Sequence, residues 1–231
     1  MTFNKEQILF EDNHLLVVNK RAGQLVQSDT EGEPGLEDEI KAFLKKRDNK
    51  PGNVYLGVVH RIDRPVSGVV LFAKSSKALV RLNEMLKNRE FQKIYWAISE
   101  KRPAEIEGTL VNFILRDGKT NKSKCVSKPS GEAKEAKLHY TTIGGSENYT
   151  LIEVELMTGR HHQIRCQLAK IGCPIKGDLK YGAPRSNADG SIGLHARRLE
   201  FVHPVTKEPM RFTAPTNRED NLWRYFEESQ S

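Results

Sequence analysis

The sequence holds few of the residues that staple or anchor a chain. Three cysteines among 231 residues, without regular spacing, make no disulfide scaffold and fit a reducing compartment. No apolar run approaches the length of a membrane span, and the N-terminal MTFNKEQILFED lacks the apolar core of a signal peptide. The expectation is a soluble, cytoplasmic protein. No paired Cys-x-x-Cys is present, Ser67 sits outside any Gly-x-Ser-x-Gly elbow, and no acidic cluster suits two metal ions. A zinc module, a serine hydrolase and a two-metal nuclease are therefore poor readings. Acidic residues are also in deficit, 30 Asp and Glu against 37 Lys and Arg, for a formal charge of +7. Such a surface attracts polyanions by long-range steering, without distinguishing RNA from DNA or acidic lipid.

What is present is concentrated. Residues 58–74, VVHRIDRPVSGVVLFAK, place Asp63 between Arg61 and Arg64 at a bend. Flanking cations suit an anionic carboxylate, and hence a nucleophile or base; an ion-paired structural aspartate capping a turn satisfies the same pattern. Pro65 restricts Arg64 toward extended backbone, and Gly68 permits positive φ or a close backbone approach. Residues 69–73 read as a buried strand that would support Asp63 rigidly.

Upstream, residues 8–19 read as an apolar cluster, a turn and a strand, with Lys20 to Gly23 as the loop leaving it. Leu36, Ile40, Phe43 and Leu44 keep helical spacing. Ser75 is a plausible cap for a helix through about Lys87. The run 91–99, FQKIYWAIS, is a strand candidate in which Tyr95 and Trp96 face opposite sides. Tyr95 is then either a site residue or an ordinary sheet tyrosine.

Residues 102–137 look the least compact, and 116–137 carry seven Lys and Arg against three acidic residues. They fit a mobile hairpin touching phosphates or a solvated loop equally well. Residues 149–156 read as a strand leading to the second concentrated stretch, MTGRHHQIR at 157–165. Ile164, Leu168 and Ile171 predict a helix that Gly172 ends, with Thr158, Gly159 and Arg160 at its N-terminus, where an anion is favoured. Arg165 would reach inward as a carboxylate partner. His161, His162, Cys166 and Cys173 suggest zinc only weakly, since Cys173 lies beyond Gly172. Residues 178–182 predict an ordered turn, 199–203 and 210–213 a hairpin, and 218–227 an amphipathic helix.

Taken in order, HRIDRPVSGVVLFAK at 60–74, KIYWAI at 93–98, TGRHHQIRCQLAKIGCPIKGDLKYG at 158–182 and LHARRLEFVHPVTKEPMRFTAP at 194–215 resemble the motifs of the RluA-type family of RNA pseudouridine synthases. The resemblance covers most of residues 14–215. It implies an α+β fold, a long mixed and mostly antiparallel bent sheet with flanking helices and a central cleft, as one catalytic domain of two lobes over residues 1–231. It also implies that Asp63 is the catalytic aspartate, Tyr95 the tyrosine against the target base and Arg165 the basic partner of Asp63. Arg64 would help hold the target nucleotide out of its stack, and Leu194 would line the pocket. Arg61, Arg160 and His162 join them as candidates for RNA binding or base positioning.

No metal or organic cofactor is implied, and the partner is structured RNA, an rRNA or tRNA stem-loop, with no obligate protein partner. Few residues precede the first strand, so the form without an N-terminal S4-like domain is expected, with RNA recognised by the cleft and its basic rim. Three places depart from the family pattern. His161 stands where Thr is frequent, Cys166 and Cys173 where His is frequent, and Pro65-Val66 where an acidic residue and Thr are common. A noncatalytic RNA-binding or assembly protein on the same fold is the alternative reading.

Overall fold

The computed structural model describes residues 3–29, 32–126, 128–129 and 131–230. The chain clusters into two compact units, Met1–Phe91 with Ala196–Pro215 and Gln92–His195 with Thr216–Ser231.

In the first unit, β1 (Ile8–Glu11) turns back into β2 (Leu15–Lys20). Asp12 closes that turn by accepting from the amides of His14 and Leu15. Helix α1 (Leu36–Arg47) follows the predicted spacing, burying Leu36, Ile40 and Leu44. Its acidic first turn and basic last turn both complement the helix dipole. The short β3 (Gly57–Val58) and β4 (Ser67–Ala73) bracket the Asp63 segment. Along its length β4 pairs antiparallel with β2, from Leu15 opposite Ala73 to Lys20 opposite Gly68. Gly68 meets both conditions the sequence raised: its φ is +117°, and an added Cβ would lie 2.3 Å from the Ala196 carbonyl oxygen. Helix α2 (Ser76–Lys87) is capped by Ser75, whose Oγ accepts from the Ala78 amide. Leu82 on α2 joins Leu15, Val17, Val69 and Leu71 in the core, with Leu79, Met85 and Leu86 packed against it.

The second unit begins with β5 (Gln92–Ser99), β6 (Glu107–Asp117), β7 (Lys122–Val126), β8 (Lys134–Gly145) and β9 (Thr150–Leu156). These lie in the order β5-β9-β8-β6-β7, each pair antiparallel. The stretch expected to be least compact is thus mostly strand. Residues in β8 alternate charged or polar positions with buried apolar ones, as in EAKLHY at 135–140, because this strand leaves one face to water. Most of the charges that suggested a loop, Arg116, Asp117, Lys122, Lys124, Lys134, Glu135 and Lys137, lie on β6, β7 and β8. The basic hairpin is real from Phe113 opposite Val126 to Asp117 opposite Lys122; Ser127 and Ser130 lie outside the described residues.

Helix α3 (Gln163–Lys170) begins later than its predicted N-terminus. His162 caps it in the left-handed region, and Thr158 to Arg160 precede it. Gln163 folds back so that its Oε1 accepts from the Arg160 amide and the Thr158 hydroxyl. Part of the expected anion site is therefore filled by this side chain. A 3-10 turn over Leu179–Tyr181 ends at Gly182, as the sequence suggested.

Strand β10 (Leu194–Val202) gives Leu194 and His195 to the second unit and its remainder to the first, where it forms a hairpin with β11 (Pro209–Thr213). His203 stabilises the connecting turn by accepting from the amides of Val205 and Thr206. Helix α4 (Asn221–Glu228) is capped by Asp220 and buries Trp223 and Phe226 with Trp96, Ile98 and Leu151 of the second unit. Among the described residues no helix is long and apolar enough to cross a membrane.

Candidate active site

Asp63 opens a tight turn in the first unit, its carbonyl accepting from the Val66 amide at 3.0 Å. The next residue is held from both sides. The Gly23 amide donates to the Arg64 carbonyl at 2.8 Å, and the Arg64 Nε donates to the Gly23 carbonyl at 3.1 Å. The guanidinium of Arg64 makes a bidentate pair with Glu33, 2.8 Å on each arm. Preceding Asp63, the exposed Arg61 follows His60, whose Nε2 accepts from the Leu71 amide on β4. The turn is thus fastened to a central strand and to the loop after β2.

Beneath it lies Lys20, with 0% exposure. Expected in a loop, it is instead the last residue of β2, and its stem is enclosed by the unit. Its Nζ donates to the carbonyls of Gln24 at 2.8 Å, Arg21 at 3.0 Å and Arg64 at 3.2 Å. These bonds give each ammonium proton an acceptor. Burial lowers the Lys20 pKa to about 7, while Asp63 raises it and Arg64 lowers it. The loop carbonyls are themselves ordered by Gln24, whose Oε1 accepts from the Arg21 amide and from Gln7. One buried cation therefore ties the 21–24 loop to the Asp63 turn.

In the second unit, Tyr95 sits on β5 opposite Val154 of β9 and is buried. Trp96 turns into the apolar cluster under α4, its Nε1 donating to Glu153 at 3.1 Å. Alternation places Tyr95 on the other face, shared with Lys93, whose pKa burial lowers. Leu194 is buried at the start of β10.

Arg165 is 5% exposed on α3, with Nε 2.6 Å and Nη2 2.8 Å from the two carboxylate oxygens of Asp178. Its guanidinium carbon stands 5.1 Å from the centre of the Tyr181 ring, a cation–π arrangement that limits its rotation. Tyr181 is anchored in turn. Its hydroxyl accepts from the Ser123 amide at 2.8 Å and lies 2.9 Å from His162 Nδ1. Burial raises the Tyr181 pKa to about 12 and lowers that of His162 to about 2, where Arg165, His161 and nearby cations add to the effect. His162 is thus a buried neutral ring that orients Tyr181, and His161 stacks on it at 3.8 Å. Arg160 donates from Nε to the Glu135 carbonyl at 2.8 Å.

Asp178, Tyr181 and Lys20 escaped the sequence reading. The DLKYG turn was visible, but its pairing with a helix residue thirteen positions earlier has no local signature. A lysine following five apolar or amide residues in a strand looks like a strand end, and only enclosure by the loop marks it as buried.

The fold is that of a pseudouridine synthase catalytic domain, mostly antiparallel sheet with flanking helices. It matches the solved structure of human RNA pseudouridylate synthase domain containing 4 with a TM-score of 0.77 and 25% identity, over 93% of this chain and 90% of that one. The RNA pseudouridylate synthase family model matches residues 14–170. The chain belongs to this family, in its RluA-like form, and is an RNA-modifying isomerase. Among curated relatives, the uncharacterized RNA pseudouridine synthase YhcT of Bacillus subtilis (strain 168) is 34% identical over 92% of this chain and 69% of its own length. Ribosomal large subunit pseudouridine synthase C of Buchnera aphidicola subsp. Baizongia pistaciae (strain Bp) is 32% identical, over 90% and 66% respectively.

Proposed function

We propose that this chain converts uridine to pseudouridine in structured rRNA or tRNA, with Asp63 as the nucleophile, Tyr95 against the target base and Arg165 as the basic group serving Asp63. The observation that carries the reading is the placement of Asp63, in HRIDR of a matched family segment, on a turn clamped by Lys20, Gly23 and β4. Rigid support of this kind suits a group that must meet one atom of a large substrate. Asp178 and Tyr181 hold Arg165 in one orientation for the same purpose.

In this reading the N1–C1′ bond of the target uridine breaks, the uracil turns, and C5 joins C1′. C5 loses its proton and N1 gains one, so the product is an isomer of unchanged mass. Asp63 attacks the sugar at C1′ as the base departs, and Tyr95 assists proton movement at the ribose. A base inside a helix is out of reach of such a group, so the nucleotide is extruded, at least cost from a loop. Arg64 and Leu194 hold the extruded nucleotide, and Arg61 and Arg160 contact the RNA around it. His162 acts from within, through Tyr181. The large-subunit rRNA named for the Buchnera relative is the first substrate to try.

The test is tritium release from full-length rRNA and tRNA transcripts labelled at uridine C5, for wild type and Asp63→Asn in EDTA. Release by the wild type alone supports metal-independent isomerisation through Asp63. Equal release from the variant overturns the assigned nucleophile, and loss of release in EDTA overturns the metal-independent chemistry.

A further inference from the structure

Within the second unit, the edge strand β7 and helix α3 are bridged by two thiols. The Sγ atoms of Cys125 and Cys166 stand 2.7 Å apart across 41 residues of chain, and neither is in a disulfide. Cys125 is half-buried and Cys166 is 5% exposed, so one sulfur borders solvent and the other is packed behind it. Lys170 lies one turn along α3 from Cys166, and Lys122 is on the same strand as Cys125. No role in isomerisation is assigned to either thiol.

We propose that Cys125 and Cys166 form a redox couple that closes to a disulfide under peroxide and pins the basic β6–β7 hairpin to the helix bearing Arg165. A disulfide needs about 2.05 Å between sulfurs, so closure asks each atom to move only a few tenths of an ångström, roughly. The two sulfurs react in turn. The one that is ionised attacks a peroxide oxygen as thiolate, giving a sulfenic acid and hydroxide. The other thiol then attacks that sulfur; the sulfenic oxygen leaves as water with the remaining thiol proton, and the S–S bond forms. Two thiols are oxidised and one peroxide is reduced to two waters. A thiol reductant reverses the bridge by exchange.

The structural effect follows from position. Strand β7 ends the order β5-β9-β8-β6-β7, and the bridge would add a covalent tie on its helix side. Arg165, next to Cys166, would then share a fixed frame with Lys122 and Lys124 of the hairpin. The bridge itself does not depend on which RNA is the substrate, or on the proposed function.

The test treats the full-length folded protein with hydrogen peroxide at low excess, followed by nonreducing peptide mapping and amide hydrogen exchange. Expected are loss of the mass of two hydrogens, a crosslinked peptide pair containing Cys125 and Cys166, reversal by dithiothreitol, and exchange at residues 118–126 slowed at least tenfold. Cys173→Ser should leave all of this unchanged. The couple is overturned if mapping finds only sulfinic acid, or a bridge through Cys173. The pinning is overturned if the Cys125–Cys166 bridge forms and exchange in the hairpin stays as it was. The wild type alone decides both points, so failure of Cys125→Ser or Cys166→Ser to fold does not affect the outcome.

Discussion

Two buried cations define what single residues do here. Lys20 and Arg165 are both enclosed, and each is satisfied by a dense set of oxygen acceptors. The folded-state pKa of Lys20, about 7, lies below its ordinary value of 10.5. Between those values the unfolded chain binds more protons, so the contribution of Lys20 to stability rises with pH. Below the lower value both states are protonated, and the cost of burying the ammonium is felt in full. Urea denaturation of wild type and Lys20→Met should therefore give a difference that is flat below about pH 7 and shifts in favour of the wild type as pH climbs toward 10. A difference flat over the whole range would mean that the ammonium is not destabilised by burial. For Arg165, removal of charge from its partner is the sharper change. Asp178→Asn should cost about 3 kcal/mol of stability, as loss of one member of a buried pair does. Where the variant still folds, tritium release should fall more than RNA affinity does, since Arg165 would lose its orientation and the hairpin cations would not.

At the scale of elements, the Asp63 turn owes its position to β4, which carries Gly68 in a conformation and at a spacing that no other residue fits without movement. The helices behave more independently. Ser75 caps α2, so Ser75→Ala should lower thermal stability by about 1 kcal/mol and leave the isomerisation rate at its wild-type value. A drop in rate beyond that expected from unfolding would tie α2 to the chemistry. Most of the helices and the β10–β11 hairpin were legible from spacing, caps and turn residues, because those signals act within a few residues of one another. The β6–β8 region was not. Its strands carry Lys and Glu, and the pairings that make them strands, such as Val111 with Lys137, connect residues far apart in the chain. The start of α3 was misplaced for a related reason: Gln163 caps from inside the helix, a device that a search for Ser, Thr, Asp or Asn before the first turn passes over.

For the molecule as a whole, the net charge of +7 predicts RNA binding that weakens with salt. The exposed Lys119 and Lys124 of the hairpin are expected to contribute as phosphate contacts. Replacing both with Gln should reduce the slope of log affinity against log salt by about 1.4, at about 0.7 per lost contact for single-stranded segments. An unchanged slope in filter binding would place the hairpin away from the RNA. By itself the sequence determined the family and the identity of the candidate reacting group, since HRIDR, TGRHHQIR and the HARRLEF segment are contiguous and keep their order. It also determined the elements whose signals are local. Only the tertiary structure decided which carboxylate holds Arg165 within its unit, that Lys20 is buried beneath the Asp63 turn, and that Cys125 meets Cys166. Each of these joins residues separated by other elements, and burial and contact across such distances arise when the chain is packed, which no window of neighbouring residues encodes.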